Sequence, residues 1–399
     1  MDPGLDTGRL DRELRALRAA ARWAAADPER VHAGIARVDL ADADSWLREW
    51  TAAGGAAWVA ARREQRSEAF HHAASYYGAA LALIDESDGT VEEDALWRRQ
   101  RECWDRAVAG LGGERVAIAY ETTTLPAYFL TGGAGRRPVI VIDPGGRMVT
   151  SQAWAHVGAQ ARERGCHVLI FDGPGRQAAL WLGGLVLRPD WEAVVTPIAE
   201  WLLARNEVEA SRMAIIGLEF GALGIARALG FEHRFAAAAL VPGILDGARP
   251  WLAGLPRGAR RALLEADPDV FEREMHLASL FEPELPGRLR RNARWFDRDG
   301  VPLYELYQRI RRFRVGQETG RITTPIAVTE PSDAGPWSGQ ASELARELPA
   351  GRLVSGLHAD DAIASWLDAL CDSFSARVSP TRCEPLPISP ESGVMWSAK

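Results

Sequence analysis

One acidic residue stands where the sequence predicts a sharp turn. Glu219 lies at the centre of the run IIGLEFGA (residues 215–222), between an apolar stretch and a helical one. The small residues Gly217 and Gly221 let the chain turn tightly and hold the central side chain outward, as in a nucleophile elbow. A carboxylate at this point can transfer a proton or attack a carbon atom, but attack on an acyl group would give a mixed anhydride. The spacing therefore predicts chemistry other than that of a serine esterase.

Two further residues follow in the chain order expected of catalytic partners. Asp333 comes just after a predicted buried strand, and His358 directly precedes the last predicted helix. In a nucleophile–histidine–acid arrangement the acid orients the histidine, and the histidine moves protons. We therefore predict Glu219, His358 and Asp333 as the catalytic set. Asp360 and Asp361 are interpreted as caps of the last helix.

A glycine turn follows another predicted strand, in the run DPGG (residues 143–146). Backbone N–H groups at such a turn, and at the residue after the elbow, can stabilise an oxyanion. We predict that Gly145, Gly146 and Phe220 supply them. Aromatic and basic residues near these turns are predicted to line a cavity for a flat, apolar substrate. The predicted cavity residues are His72, Tyr76, Arg147, Trp154, Arg176 and Trp337.

The order of apolar runs predicts how these residues are positioned. Up to about residue 110 apolar side chains recur at helical spacing, and beyond Arg115 short apolar runs alternate with helical stretches. This alternation is typical of an α/β fold with a mostly parallel, doubly wound sheet. Strands are predicted at 116–120, 127–130, 138–142, 166–171, 212–216, 236–241 and 326–329. The predicted organisation is a helical N-terminal cap domain at 1–112, a core at 113–378 with a helical lid at about 242–323, and a flexible tail at 379–399.

Bulk composition excludes several classes of function. The 399 residues are 47% hydrophobic and 25% charged, which is ordinary for a globular enzyme. A net charge of −7 argues against a nucleic-acid partner. Neither a membrane span nor a signal peptide is predicted, so a cytoplasmic location is expected. The four separated cysteines predict no metal, and no cofactor is expected. Abundant Arg, Ala and Gly with rare Lys are typical of a high-GC bacterial genome.

Taken together, these motifs resemble those of α/β-hydrolases with a helical N-terminal domain. That group includes 2,6-dihydropseudooxynicotine hydrolase, the fungal pigment polyketide-shortening hydrolase and the fermentation–respiration switch proteins. The resemblance covers roughly residues 46–370 and rests on the order of short motifs at 72–77, 125–128, 143–146, 172–175 and 188–192, followed by the elbow. It implies the α/β-hydrolase fold and an enzyme of secondary metabolism acting on a small, polyketide-like molecule. The helical N-terminal domain is compatible with a homodimer. Relatives carry Ser at the elbow, where this chain has Glu219.

Three roles remain open for Glu219. As a base, it would remove a proton next to a carbonyl while His358 passes a proton to the leaving group, giving elimination, dehydration, cyclisation or C–C cleavage. As a nucleophile, it would attack an sp³ carbon, as Asp does in epoxide hydrolases and haloalkane dehalogenases of this fold. In the third role the protein is inactive and binds a small molecule. The first is favoured. Glu is one methylene longer than the Asp used by the relatives in the second role, and a predicted Asp333–His358 pair argues against the inactive site of the third.

Overall fold

A central sheet organises the protein. The computed structural model describes residues 7–23, 25–40, 42–84, 92–146, 148–283, 285–330 and 337–376. Its strands are β1 (Gly113–Tyr120), β2 (Thr123–Leu130), β3 (Arg137–Asp143), β4 (His167–Phe171), β5 (Val208–Leu218), β6 (Ala237–Val241), β7 (Ile326–Glu330) and β8 (Gly351–Ser355). Among the described residues these eight form one sheet in the order β1-β2-β4-β3-β5-β6-β7-β8. β2 pairs antiparallel with β1 and β4, and the remaining neighbours pair parallel. The predicted mostly parallel sheet is confirmed.

The edge strand β8 was not predicted. Its sequence, GRLVS, contains only two large apolar residues in five positions, and only Val354 is buried. The central strands β4 and β6 are buried at every position, which gives them the continuous apolar runs by which they were recognised. An edge strand exposes one side to water and therefore lacks this signal.

The part of the chain before β1 is helical. It contains α1 (Thr7–Arg22), α2 (Pro28–Arg37), α3 (Ala43–Glu64), α4 (Ser67–Ala82) and α5 (Glu93–Gly110). Helix α4 is buried on nearly all sides because it packs between α3 and α5. Its composition fits that position, since a helix that is apolar all round must lie inside a helical layer. This is the predicted helical cap.

Helices cover both faces of the sheet and form the predicted insertion. Those around the sheet are α6 (Thr150–Ala153), a π-helix (Trp154–Gly158), α7 (Ala159–Glu163), α8 (Gln177–Trp181), α9 (Glu192–Leu203), α10 (Phe220–Ala228), α16 (Gln340–Glu347) and α17 (Ala359–Ala376). Between β6 and β7 lie α11 (Arg249–Ala253), α12 (Arg257–Leu264), α13 (Pro268–Phe281), α14 (Leu285–Ala293), α15 (Leu303–Ile310) and a 3₁₀ turn (Gln317–Arg321). None of the described helices is long and apolar enough to cross a membrane. The division at residues 112 and 378 stays a prediction, and the predicted tail lies outside the described residues.

A buried ion pair joins the cap to the core. Arg101 of α5 donates to Asp172, just beyond β4, over 2.7 Å, and the two side chains are 10% and 1% exposed. Burial raises the pKa of Asp172, an effect that the charge of Arg101 opposes. Beside this pair, Gln100 donates to the hydroxyl of Ser151 over 2.9 Å. Because the paired charges are shielded from water, their separation would leave each one uncompensated.

Candidate active site

The elbow predicted at Glu219 is present, and its backbone is strained. Glu219 joins β5 to α10 with φ 47° and ψ −129°, a conformation that costs a non-glycine residue about 1–3 kcal/mol. Its two glycine neighbours make the turn possible. A Cβ on Gly217 would lie 2.6 Å from Cα of Ala222, and a Cβ on Gly221 would lie 2.8 Å from Cγ of Asp143. The local sequence therefore fixes the position of the Glu219 side chain.

Glu219 lines a cavity of about 610 Å³ beneath the cap and the inserted helices. The carboxylate lies against the glycine turn, since its Oε2 is 3.3 Å from the place a Cβ on Gly146 would occupy. Most of the wall is aromatic or aliphatic, and such walls suit a flat, apolar ligand. The aromatic members are Phe220, Trp251, Trp295, Phe296, Tyr307 and Trp337.

A histidine that was not predicted shares this cavity with Glu219. His156 lies in the π-helix Trp154–Gly158, and its Nδ1 is 2.5 Å from Oδ1 of Asp360 at the start of α17. Burial alone would lower the pKa of His156, but the charges of Asp360, Glu13 and Glu219 together raise it above its usual value. A histidine with a raised pKa keeps its proton closer to neutrality and can serve as an acid. The structure thus brings together a carboxylate and a histidine–aspartate pair.

The predicted partners of Glu219 are placed differently. His358 precedes α17, and its side chain is exposed and does not line the cavity. On that helix, Ala359, Asp360 and Ile363 face the cavity instead. Residues three or four apart share one helical face, as Ala359 and Asp360 do with Ile363. His358 comes before the first residue of the helix and is not part of that face. Asp333 lies outside the described residues. Asp360, which the sequence suggested as a cap, pairs with His156.

Two of the three predicted oxyanion donors line the cavity. Gly146 and Phe220 border it, and the N–H of Phe220 opens α10, where a helix leaves its first N–H groups without intrahelical acceptors. Gly145 does not qualify, because its N–H donates to Oδ1 of Asp143 over 3.0 Å. Its role is conformational: φ is +72°, and a Cβ would come within 1.9 Å of the carbonyl oxygen of Leu218.

Three predicted cavity residues are packing residues of the cap and its junction with the core. None of them lines the cavity. The Tyr76 hydroxyl accepts the backbone N–H of Asp27 over 3.0 Å, and the ring of the half-buried His72 lies 6.5 Å from that of Tyr76. Trp154 is 3% exposed, with its ring 6.4 Å from that of Trp104. These predictions were wrong because large aromatic side chains are used first to fill helix interfaces.

Two of the other predicted cavity residues do line the cavity. Trp337 lines the cavity with its ring 5.9 Å from that of Phe220, and Arg176 lines it from the turn after β4. Arg147 lies outside the described residues.

Sequence comparisons find fungal proteins. No family model matches the chain. "Alpha/beta hydrolase psoB" of Aspergillus fumigatus is 27% identical over 236 residues, which are 53% of this chain and 53% of that protein. "Hydrolase acrC" of Aspergillus aculeatus is 28% identical over 216 residues, 47% of this chain and 50% of that protein. The chain thus spans about half the length of the curated relatives it matches. These matches do not support the bacterial source suggested by composition.

Solved structures show the same fold over most of the chain. The 2,6-dihydroxy-pseudo-oxynicotine hydrolase superposes with a TM-score of 0.65 at 14% identity, covering 91% of this chain and 98% of that one. AbyA5 superposes with a TM-score of 0.59 at 18% identity, covering 92% and 95%.

The chain has the α/β-hydrolase fold and is similar in sequence to fungal α/β-hydrolases.

Within this fold, the protein departs from the serine pattern at the residue that the elbow presents to the cavity. A Ser at the elbow would supply a hydroxyl for attack on a carbonyl, whereas Glu219 supplies a carboxylate. The histidine beside it comes from the helix after β3. What the fold retains is the strand–turn–helix that presents the central side chain to the cavity.

Proposed function

We propose that the protein is an enzyme of secondary metabolism that transfers protons next to a carbonyl group of a small apolar molecule. One observation carries this proposal: a carboxylate on a strained turn shares an aromatic cavity with a partly buried histidine–aspartate pair. A general base and a general acid are thereby held on one substrate-sized space. The hydrolase names of the fungal relatives support an enzymatic role.

The reaction begins with Glu219, which takes a proton from the carbon next to the carbonyl. Negative charge moves to the carbonyl oxygen, where the N–H of Phe220 stabilises it. As the carbon–carbon double bond forms, the bond to a leaving group on the next carbon breaks. His156, held protonated by Asp360, gives its proton to that group. The net change is an elimination, in which the substrate loses one proton and one leaving group.

The protein would have a non-catalytic role if Glu219 removed no proton from a ligand. The direct test is deuterium exchange in D₂O, followed by proton NMR on a panel of aryl ketones that carry an acyloxy group two carbons from the carbonyl. The wild type should exchange the proton next to the carbonyl and release the carboxylic acid. Glu219→Gln should do neither, because an amide takes up no proton at neutral pH. Asp368→Asn, a change on the exposed side of α17, is the matched control. Exchange at the wild-type rate in Glu219→Gln would contradict the proposal.

A further inference from the structure

A buried cation faces the cavity without a full set of hydrogen-bond partners. The side chain of Arg176 is 2% exposed, yet its Nε and Nη1 donate to no acceptor among the described residues. Trp191 and Phe220 hold their rings 5.5 and 6.0 Å from the guanidinium carbon, which stabilises its charge. Ring contacts do not satisfy N–H donors, and buried donors left unsatisfied carry a desolvation cost.

Two of the carboxylates near Arg176 are already engaged elsewhere. Asp143 comes within 3.9 Å of Arg176, but its Oδ1 accepts the N–H of Gly145 and its Oδ2 accepts Nε1 of Trp191, both over 3.0 Å. Asp172 is paired with Arg101. A third carboxylate, Glu219, also acts on Arg176: burial lowers the pKa of the guanidinium, while the charge of Glu219 raises it. Both side chains line the cavity, so the unsatisfied donors of Arg176 are available to a ligand there.

We propose that the substrate carries an oxygen anion, a carboxylate or an ionised enol, and that Arg176 binds this anion inside the cavity. The inference rests on the proposed function and names its substrate class: a flat, apolar molecule with one anionic end. Arginine is suited to this task because it stays charged and offers several donors in a plane. The aromatic wall supplies the surface for the rest of the molecule.

The test measures binding, so it does not depend on turnover. Two matched pairs of probes are titrated calorimetrically: 2-naphthoate against 2-naphthamide, and 2-phenyl-1,3-indandione against its 2-methyl derivative, which cannot ionise. The wild type should bind at least one anion about 10- to 100-fold more tightly than its neutral match, the range expected for a charged hydrogen bond. The two pairs distinguish a carboxylate from an enolate. Equal binding within both pairs would overturn the inference.

Variants then assign the preference to one residue. Arg176→Gln should lose the anion preference and keep its affinity for the neutral probes, while the matched control Arg164→Gln on the surface should behave as wild type. If Arg176→Gln does not fold, the double variant Arg176→Gln/Asp143→Asn removes both charges and should show the same loss. An anion preference that survives in a folded Arg176 variant refutes the assignment.

Glu219→Gln separates this inference from the proposed function. It should slow deuterium exchange about 10²- to 10⁴-fold but retain the anion preference, because Arg176 keeps its unsatisfied donors. A wild type that exchanges deuterium yet binds both members of each pair equally would leave the function standing and the inference refuted. A wild type that prefers the anions but exchanges no deuterium would refute the proposed function and leave the anion site standing.

Discussion

The pair between His156 and Asp360 should make stability depend on pH in a defined direction. The substitution Asp360→Asn removes the negative charge of the Asp360 carboxylate from this pair. With charge centres about 4 Å apart and an effective dielectric constant of about 20, two unit charges attract by about 4 kcal/mol. The side chains are 12% and 31% exposed, so screening and desolvation reduce this gain. We expect the variant to lose roughly 2 kcal/mol of unfolding free energy when His156 is charged.

The direction follows from the two pKa shifts. The pKa of His156 is raised, so the stabilisation from its proton is complete below its unfolded value of about 6.5 and disappears as pH rises through the raised value. Burial would raise the pKa of Asp360, but His156 lowers it on balance. Its stabilisation is therefore present above an unfolded value of about 3.9 and is lost as pH falls. Both contributions overlap between about pH 4 and about pH 6.5.

Urea unfolding measured at about pH 5.5 and at about pH 9 tests this directly. Asp360→Asn should cost more at the lower pH than at the higher one. Asp368→Asn is a close control, because Asp368 lies on the same helix and pairs with Arg164 over 2.7 Å, and arginine keeps its proton throughout this range. Its loss should be small and the same at both values. If Asp360→Asn cost the same at both pH values, the charged pair would not exist in solution.

Further predictions concern the elbow and the cap. Glu219→Gln should slow deuterium exchange about 10²- to 10⁴-fold, the usual contribution of a general base, whereas Glu232→Gln, buried but remote from the cavity, should not. In single-turnover reactions in ¹⁸O-labelled water, a nucleophilic Glu219 would pass unlabelled oxygen to the product, whereas Glu219 acting as a base should not. Fluorophosphonates should fail to label the protein, because the elbow carries no Ser. Arg101→Met should lower the unfolding free energy by about 3–5 kcal/mol because it leaves Asp172 buried and unpaired. The exposed ion pair between Arg98 and Asp94 gives the comparison, because Arg98→Met should lower the unfolding free energy by less than about 1 kcal/mol. Equal losses in the two variants would mean that the Arg101 pair is open to solvent.

The parts of the structure that could be predicted are those with a local signal. The elbow at Glu219 was recognisable because Gly217 and Gly221 flank it in the sequence, between an apolar run and a helical one. The buried strands were recognisable because each is a continuous apolar run. Seven of the eight described strands could therefore be located along the chain from the sequence, and the edge strand β8 could not.

The partners of Glu219 had no comparable signal. His156 and Asp360 are 204 residues apart, and neither sits in a run that marks a catalytic residue. His358 was preferred because it occupies the expected place before the last helix, and Asp360 was read as a cap from its position in the first turn. The pair forms only once the helices after β3 and β8 pack together. Only tertiary structure could therefore identify it.

The π-helix at Trp154–Gly158 has a consequence for comparing this protein with others. A π-helical turn arises when one residue is added to a regular helix, and the addition rotates later side chains relative to earlier ones by about 100°. A relative that lacks the added residue would need a single-position gap here to align correctly. Without that gap, a different side chain would be matched to His156. Homology searches that penalise isolated gaps inside helices will therefore tend to overlook the histidine in this lineage, and a one-codon insertion or deletion is enough to gain or lose it.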